Sequence, residues 1–224
     1  MNKDQRIAII VGATGLVGNE LLQILLQSDT YKQVKVLVRT PISIQHPKLT
    51  QIQVSFDELE RHEEEFVSVH DVFCCLGTTI KKAGSQEAFK KVDFEYPLQA
   101  AKLSKKHGVR QFLIITAIGA DHQSTIFYNR VKGEVEEALR HLQLSSLHIF
   151  HPSLLLGQRR EFRLGEQATS IINPIFSSIL LGKLKKYKPI QAKDVAQAMH
   201  QAALNDRTGQ HVYEWEQMAK YLKE

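Results

Sequence analysis

The sequence predicts an α/β fold, a doubly wound parallel sheet with a small C-terminal cap on the substrate side. Three observations carry this. Short β-branched apolar runs, of the kind buried on both faces of a parallel sheet, recur along the chain. Segments with apolar residues at helical spacing alternate with them. A glycine-rich turn joins the first run to the first helical segment. Alternation of this kind implies right-handed crossovers with helices on both faces of the sheet. The 224 residues suit one domain over 1–224, with about 152–190 forming the cap.

The elements follow in order. Ile7–Val11 is a buried-type strand ending in glycine, and Asn19–Gln27 has leucines at 21, 22, 25 and 26, a helical stripe. Val34–Val38 and Leu49–Val54 read as the second and third strands, and Glu58–Val67 as a charged helix. Val72–Leu76 is the fourth strand. Ser85–His107 is helical in pattern, broken at Pro97, because the residue before a proline is pushed out of the helical region. Gly108 closes that helix. Phe112–Thr116, helix Asn129–Leu142 and strand Leu147–His151 complete the alternation, which weakens from Pro152 onward. Ala192–Leu204 is a late helix. Ligands of such sheets bind outside the carboxyl ends of the strands, at Gly12, Arg39, Gly77–Thr79, Thr116 and Pro152.

Composition narrows the function classes. The formal charge of +5 is mild and spread along the chain, with no basic arm and no zinc or helix-turn-helix spacing. It argues against nucleic acid and suits a phosphorylated small-molecule ligand. Cys74 and Cys75 are neighbours that point to opposite faces of a strand, so they read as core packing rather than a bridge. The ten histidines show no metal spacing. The polar start and the lack of a long apolar run lead to the expectation of a cytoplasmic protein with no membrane association.

The loop Gly12-Ala13-Thr14-Gly15-Leu16-Val17-Gly18 follows a buried-type strand and opens an amphipathic helix. One glycine allows the tight turn, one lets the backbone approach a pyrophosphate, and one permits close helix packing. The helix start then offers free N–H groups to phosphate. This is the dinucleotide site of a Rossmann-type fold. The spacing G-x-x-G-x-x-G resembles the fingerprint of the extended and atypical short-chain dehydrogenase/reductases. Together with Cys74–Thr79 (CCLGTT), Gly119-Ala120-Asp121, Val131–Glu136 (VKGEVE) and Pro152–Gly157 (PSLLLG), it resembles the small branch typified by the HIV Tat-interacting oxidoreductase. The likeness runs from Arg6 to about Glu166. It implies NADP(H) binding and a reduced substrate region, with no defined substrate.

An NAD-specific site places an acidic residue at the end of the second strand to hold the ribose 2′-hydroxyl. Here that position is Arg39, whose forked, permanent charge suits a 2′-phosphate, so NADP(H) is expected over NAD(H). Asp57 either faces the adenine or caps the following helix. Gly77, Thr78 and Thr79 line the ribose and pyrophosphate or simply turn the chain. The resemblance sets Pro152 and Ser153 beside the nicotinamide.

Tyr128 and Lys132 form Y-x-x-x-K and share a helix face. A lysine ammonium near a phenol favours the phenolate, so the tyrosine can exchange a proton with a substrate oxygen while hydride moves. Lys132 would also hold the nicotinamide ribose, and Thr116 would bond the reacting oxygen. Tyr31 and Lys35 repeat the pattern where no site is expected. In the tail, Arg159, Arg160, Arg163, Glu161 and Glu166, then Lys183, Lys185, Lys186 and Lys188, form either a solvated face or a grip on an anionic substrate. Three functions stay open: an NADP(H)-dependent oxidoreductase of a carbonyl or alcohol, a non-catalytic NADPH sensor or interaction protein, and a nucleotide-sugar epimerase or dehydratase. The short chain weighs against the last.

Overall fold

Six expected strands form, and a seventh joins them from the tail. The computed structural model describes residues 5–157 and 182–222. The strands are β1 (Arg6–Val11), β2 (Tyr31–Val38), β3 (Leu49–Gln53), β4 (Asp71–Cys74), β5 (Gln111–Ile115), β6 (Ser146–Phe150), β7 (Leu155–Leu156), β8 (Ile190–Gln191) and β9 (Gly209–Tyr213). The main sheet has the order β3-β2-β1-β4-β5-β6-β9, and each neighbouring pair is parallel. The order reverses between β1 and β4, which puts the ligand crevice at the ends of those two strands. β7 and β8 pair separately, just beyond the β6 end.

Alternation along β1 explains the two cores. Ala8 and Ile10 face α1 (Leu16–Gln27) and its leucines 21, 22, 25 and 26, together with Val195 and Met199 of the late helix. Ile9 and Val11 face the other layer, with Val72, Cys74, Ala100, Val135 and Leu139. Residues buried on both faces at successive positions are what a doubly covered strand demands.

The connections after β4 depart from expectation in an instructive way. They comprise α2 (Ile80–Ala83), α3 (Gln86–Lys90), a π turn over Lys91–Glu95, and α4 (Tyr96–Lys106). Tyr96 stays helical at φ −64° and ψ −44° despite preceding Pro97. The proline has no N–H and its ring would strike the carbonyl four residues back, that of Asp93. The wide π turn absorbs the conflict, with the Tyr96 amide reaching back to the Lys91 carbonyl. Gly108 follows the helix at φ +65°, as expected of a closing glycine.

Other helices differ in detail. The charged segment Phe56–Phe66 is not an α-helix but 3₁₀ turns kinked at Glu58 and His62. Its acidic side chains repel at helical spacing, and only Phe56, Leu59 and Phe66 are buried to hold it. Further on come α5 (Phe127–His141), α6 (Ala192–Leu204) and α7 (Trp215–Lys220). The tail also adds to the sheet, since β9 returns to extend it beside β6. Of the charged tail residues, Arg159, Arg160, Glu161, Arg163 and Glu166 lie outside the described residues. Lys185 pairs with Glu216 at 3.7 Å with both side chains well exposed. Lys188 sits over the Trp215 ring at 5.5 Å.

Candidate dinucleotide and catalytic site

The glycine loop has the shape that its residues require. Gly12 sits at φ +90°, and a Cβ there would lie 2.6 Å from the Cys75 carbonyl oxygen. This glycine lets the loop cross the end of β4. A Cβ on Gly18 would lie 2.2 Å from the Gly12 oxygen, so helix and turn can touch only with glycine at both places. Gly15 is the N-cap of α1, in extended backbone with no side-chain capping bond. Among the described residues the amides of Leu16, Val17 and Gly18 have no backbone acceptor, which leaves them open at the strand-end crevice, as a pyrophosphate needs. Thr14 is exposed at the loop tip. The Val17 side chain turns into the core, which leaves its amide as its means of contact. These residues fit a dinucleotide.

On the adenosine side, Arg39 is exposed just past β2. Asp57 lies inside the 3₁₀ segment, whose cap position is Ser55, so it is not the helix cap. Its carboxylate accepts from the Tyr96 hydroxyl at 2.9 Å and from Lys91 Nζ at 3.2 Å. Burial, then the bond to Asp57, pushes the Tyr96 phenol up to about 12, while the Arg39 charge pulls the other way.

The loop after β4 joins the candidate catalytic helix through a residue the sequence reading missed. Lys132 is buried in α5, and its Nζ lies 2.7 Å from Asp93 Oδ1. The geometry at Oδ1 is ionic rather than a well-aligned hydrogen bond. Asp93 Oδ2 accepts the Thr78 amide at 2.9 Å. Gly77 covers the pair, since a Cβ there would stand 3.6 Å from Asp93 Oδ1 and 3.9 Å from Lys132 Nζ. Burial presses the ammonium toward neutrality, but Asp93 and then Tyr128 outweigh it, holding Lys132 above the ordinary lysine range. Tyr128 is half-buried in the first turn of α5, with its ring 5.6 Å from that of Phe89. The one signal for Asp93 in the sequence is its place four residues before Pro97, where a helix must bulge.

Thr116 requires a correction. Its hydroxyl does not stand free for a reacting oxygen but donates to Glu136 Oε1 at 2.6 Å. His151 Nε2 approaches the same oxygen at 2.8 Å. A strand-end side chain turned toward α5 meets a buried carboxylate there, and that carboxylate needs donors. Thr79 is also engaged, capping α2 through the Lys82 amide at 3.1 Å, and Thr78, its amide given to Asp93, turns its hydroxyl to the Thr79 carbonyl at 3.4 Å. Pro152 is buried, and its carbonyl accepts the Ile118 amide at 3.1 Å. Ser153 is turned to the Lys188 carbonyl. The earlier tyrosine and lysine pair is structural. Tyr31 donates to buried Asp71 at 2.7 Å, and Lys35 pairs with Glu65 at 2.9 Å.

Gly133 explains part of the VKGEVE segment. A Cβ there would fall 2.1 Å from the His122 amide nitrogen, so only glycine lets α5 press against the 119–123 loop. Cys74 is buried beside the Asp93 and Lys132 pair, and burial pushes its thiol up to about 12, which keeps it inert. Cys75 is partly buried. No cluster able to hold a metal occurs among the described residues.

Sheet order, glycine loop and uncapped helix define a nicotinamide-dinucleotide-binding Rossmann protein. A family model described as NAD(P)H-binding matches residues 12–206, and the chain belongs to that family, as an atypical short-chain dehydrogenase/reductase. It is 37% identical over 161 residues to Protein HTATIP2 of Rattus norvegicus, which covers 70% of this chain and 66% of that protein. It is 32% identical over 190 residues to Protein FMP52-1, mitochondrial, of Scheffersomyces stipitis, covering 76% of this chain and 83% of that one. Among solved structures, a short chain dehydrogenase from Burkholderia cenocepacia in complex with NADP aligns at a TM-score of 0.67 and 14% identity, over 100% of this chain and 93% of that one. UDP-glucose 4-epimerase of Thermotoga maritima aligns at 0.70 and 16%, over 93% and 76%. At such identities the structures speak for the fold alone. The fungal relatives overturn the cytoplasmic expectation, because several of them are named mitochondrial proteins. No helix among the described residues is long and apolar enough to cross a membrane.

Proposed function

We propose that the protein is an NADP(H)-dependent oxidoreductase that interconverts a carbonyl and an alcohol. The observation that carries this is the buried Lys132 one helical turn from Tyr128, at the loop that ends β4. When bound, the dinucleotide supplies or accepts a hydride at the substrate carbon. In the reducing direction Tyr128 gives its phenolic proton to the substrate oxygen as the carbonyl π bond opens. The ammonium of Lys132 stabilises the phenolate left behind. The amides of Leu16–Gly18 hold the pyrophosphate, and Arg39 receives the 2′-phosphate. The test is NADPH consumption against aldehydes, ketones and quinones. Tyr128→Phe should keep NADPH affinity and lose turnover by about 10²–10⁴. Equal turnover in the variant would reject the phenol as the acid.

A second reading, an NADPH sensor without turnover, draws support from Thr116. With its hydroxyl given to Glu136, one hydroxyl fewer faces a substrate oxygen. Tight NADPH binding with no reduction across the panel would favour it.

A further inference from the structure

We propose that Asp93 is a positioning residue that holds the Lys132 ammonium charged and fixed against the Gly77–Thr78 loop. The inference rests on the reading that Lys132 serves the bound dinucleotide. One carboxylate has two duties here: Oδ1 pairs with Lys132 at 2.7 Å, and Oδ2 takes the Thr78 amide at 2.9 Å. The side chains are 5% exposed for Lys132 and fully buried for Asp93, so the pair has little solvent screening. A lysine buried to this depth with no counter-ion gives up its proton. Asp93 supplies that counter-ion and ties it to the backbone of the strand-end loop, so loop and ammonium move as one body.

The placement has a cause in the sequence. Pro97 forces the π turn over Lys91–Glu95, and within that turn Asp93 is the residue directed inward, while Lys91 and Glu95 remain exposed. A regular helix would carry an unmatched carbonyl and a different side-chain phase at this point. Among the described residues, few other titrating groups face the pair. Cys74 of β4 stays a thiol because burial pushes it up to about 12. Tyr128 lies on the same helix as Lys132, and Lys90 and Glu134 pair with each other at 3.4 Å toward solvent.

The experiment is NADPH binding, followed by fluorescence, between about pH 7.5 and 9.5, above the titration of the cofactor's own phosphate and below that of an ordinary lysine. The native protein should bind with nearly constant affinity. Asp93→Asn should lose at least tenfold across the window, as the unpartnered ammonium deprotonates. The double variant Asp93→Asn with Lys132→Met should be weak and flat. A flat Asp93→Asn profile, or a slope that survives in the double variant, overturns the proposal. Lys132→Met binding NADPH as well as the native protein would instead reject the cofactor reading, and the proposal with it. Should Asp93→Asn not fold, the double variant decides through its melting temperature. Removing both charges should restore folding, because no uncompensated buried charge remains. A double variant that is also unfolded overturns the counter-ion role.

Discussion

Thr116 Oγ1 donates to Glu136 Oε1 across 2.6 Å, and this one bond turns a candidate catalytic hydroxyl inward. It belongs to a cluster with His151 in which each donor satisfies a carboxylate that is only 7% exposed. Thr116→Val keeps the shape and removes the donor. The variant should lose about 1–3 kcal/mol of stability, the range for a buried polar group left short of a partner. Turnover should fall by less than tenfold. Urea unfolding and NADPH consumption check the two halves. A loss of turnover equal to that of Tyr128→Phe, with unchanged stability, would return Thr116 to the substrate oxygen.

Arg39 sets the cofactor preference if the 2′-phosphate lies at the end of β2. NADPH should then bind at least tenfold more tightly than NADH, about 1.4 kcal/mol, which is modest for an exposed charge-assisted contact. Arg39→Asp should reverse the order. Titration with each cofactor decides, and equal affinities in the native protein would remove Arg39 from the site. The preference should also shrink with added salt, because Arg39 is exposed.

Gly133→Ala adds one methyl group where the nearest backbone atoms stand 2.1 and 2.2 Å away. A flexible side chain could yield at that distance, but a peptide backbone cannot without moving the loop. The change should cost at least about 1–3 kcal/mol, as overpacking does, despite alanine's better helix propensity. Thermal melting measures it. An alanine variant as stable as the native protein would mean that α5 does not press on the 119–123 loop.

The legible parts were those where one local rule acts alone. The β1 run, the leucine stripe of α1 and the Gly12–Gly18 loop each combine pattern and chemistry in consecutive residues, and each forms as read. β9 escaped because an edge strand is half-exposed and its GQHVY carries no apolar run. The charged 56–66 segment misled because helical spacing without enough buried anchors does not sustain an α-helix. At the candidate site, Tyr128 and Lys132 stand out in the sequence through their i,i+4 spacing. Asp93 and Glu136 were not, because each meets its partner through tertiary packing: Asp93 and Lys132 lie on different elements, as do Glu136 and Thr116. Thr116 shows the converse: it stands just past the end of β5 as expected, but a partner twenty residues away sets the direction of its hydroxyl.

His148 and His200 should make the fold lose stability in mild acid. His148 is fully buried, with Nε2 2.7 Å from Ser146 Oγ and Nδ1 2.9 Å from the Tyr213 hydroxyl. Ser146 already donates to the Arg207 carbonyl, so its oxygen is free to accept from Nε2–H, and Nδ1 then accepts from Tyr213. The tautomer is assigned from this network. A second ring proton would face a hydroxyl already pointing inward. Burial, then His211 and Arg207, lowers His148 to about 4. Burial, then Arg6, does the same for His200, whose Nδ1 has no hydrogen-bond partner among the described residues. A histidine depressed in the folded state stabilises it above the unfolded pKa of about 6.5, and that contribution fades as pH falls toward the folded value. Each should therefore cost about 2 kcal/mol between pH 7 and 5. Carboxylates held low, such as Asp57, keep their contribution through this window and lose it only at more acid pH, while Asp71, held high by burial, acts with the opposite sign, so the histidine variants carry the assignment. Urea unfolding at the two pH values should show a drop of a few kcal/mol, and His148→Gln with His200→Gln should flatten it even if both variants are weaker overall. A native protein equally stable at pH 7 and 5 would show that both rings accept protons freely and that the cluster on β6 and β9 is open to water.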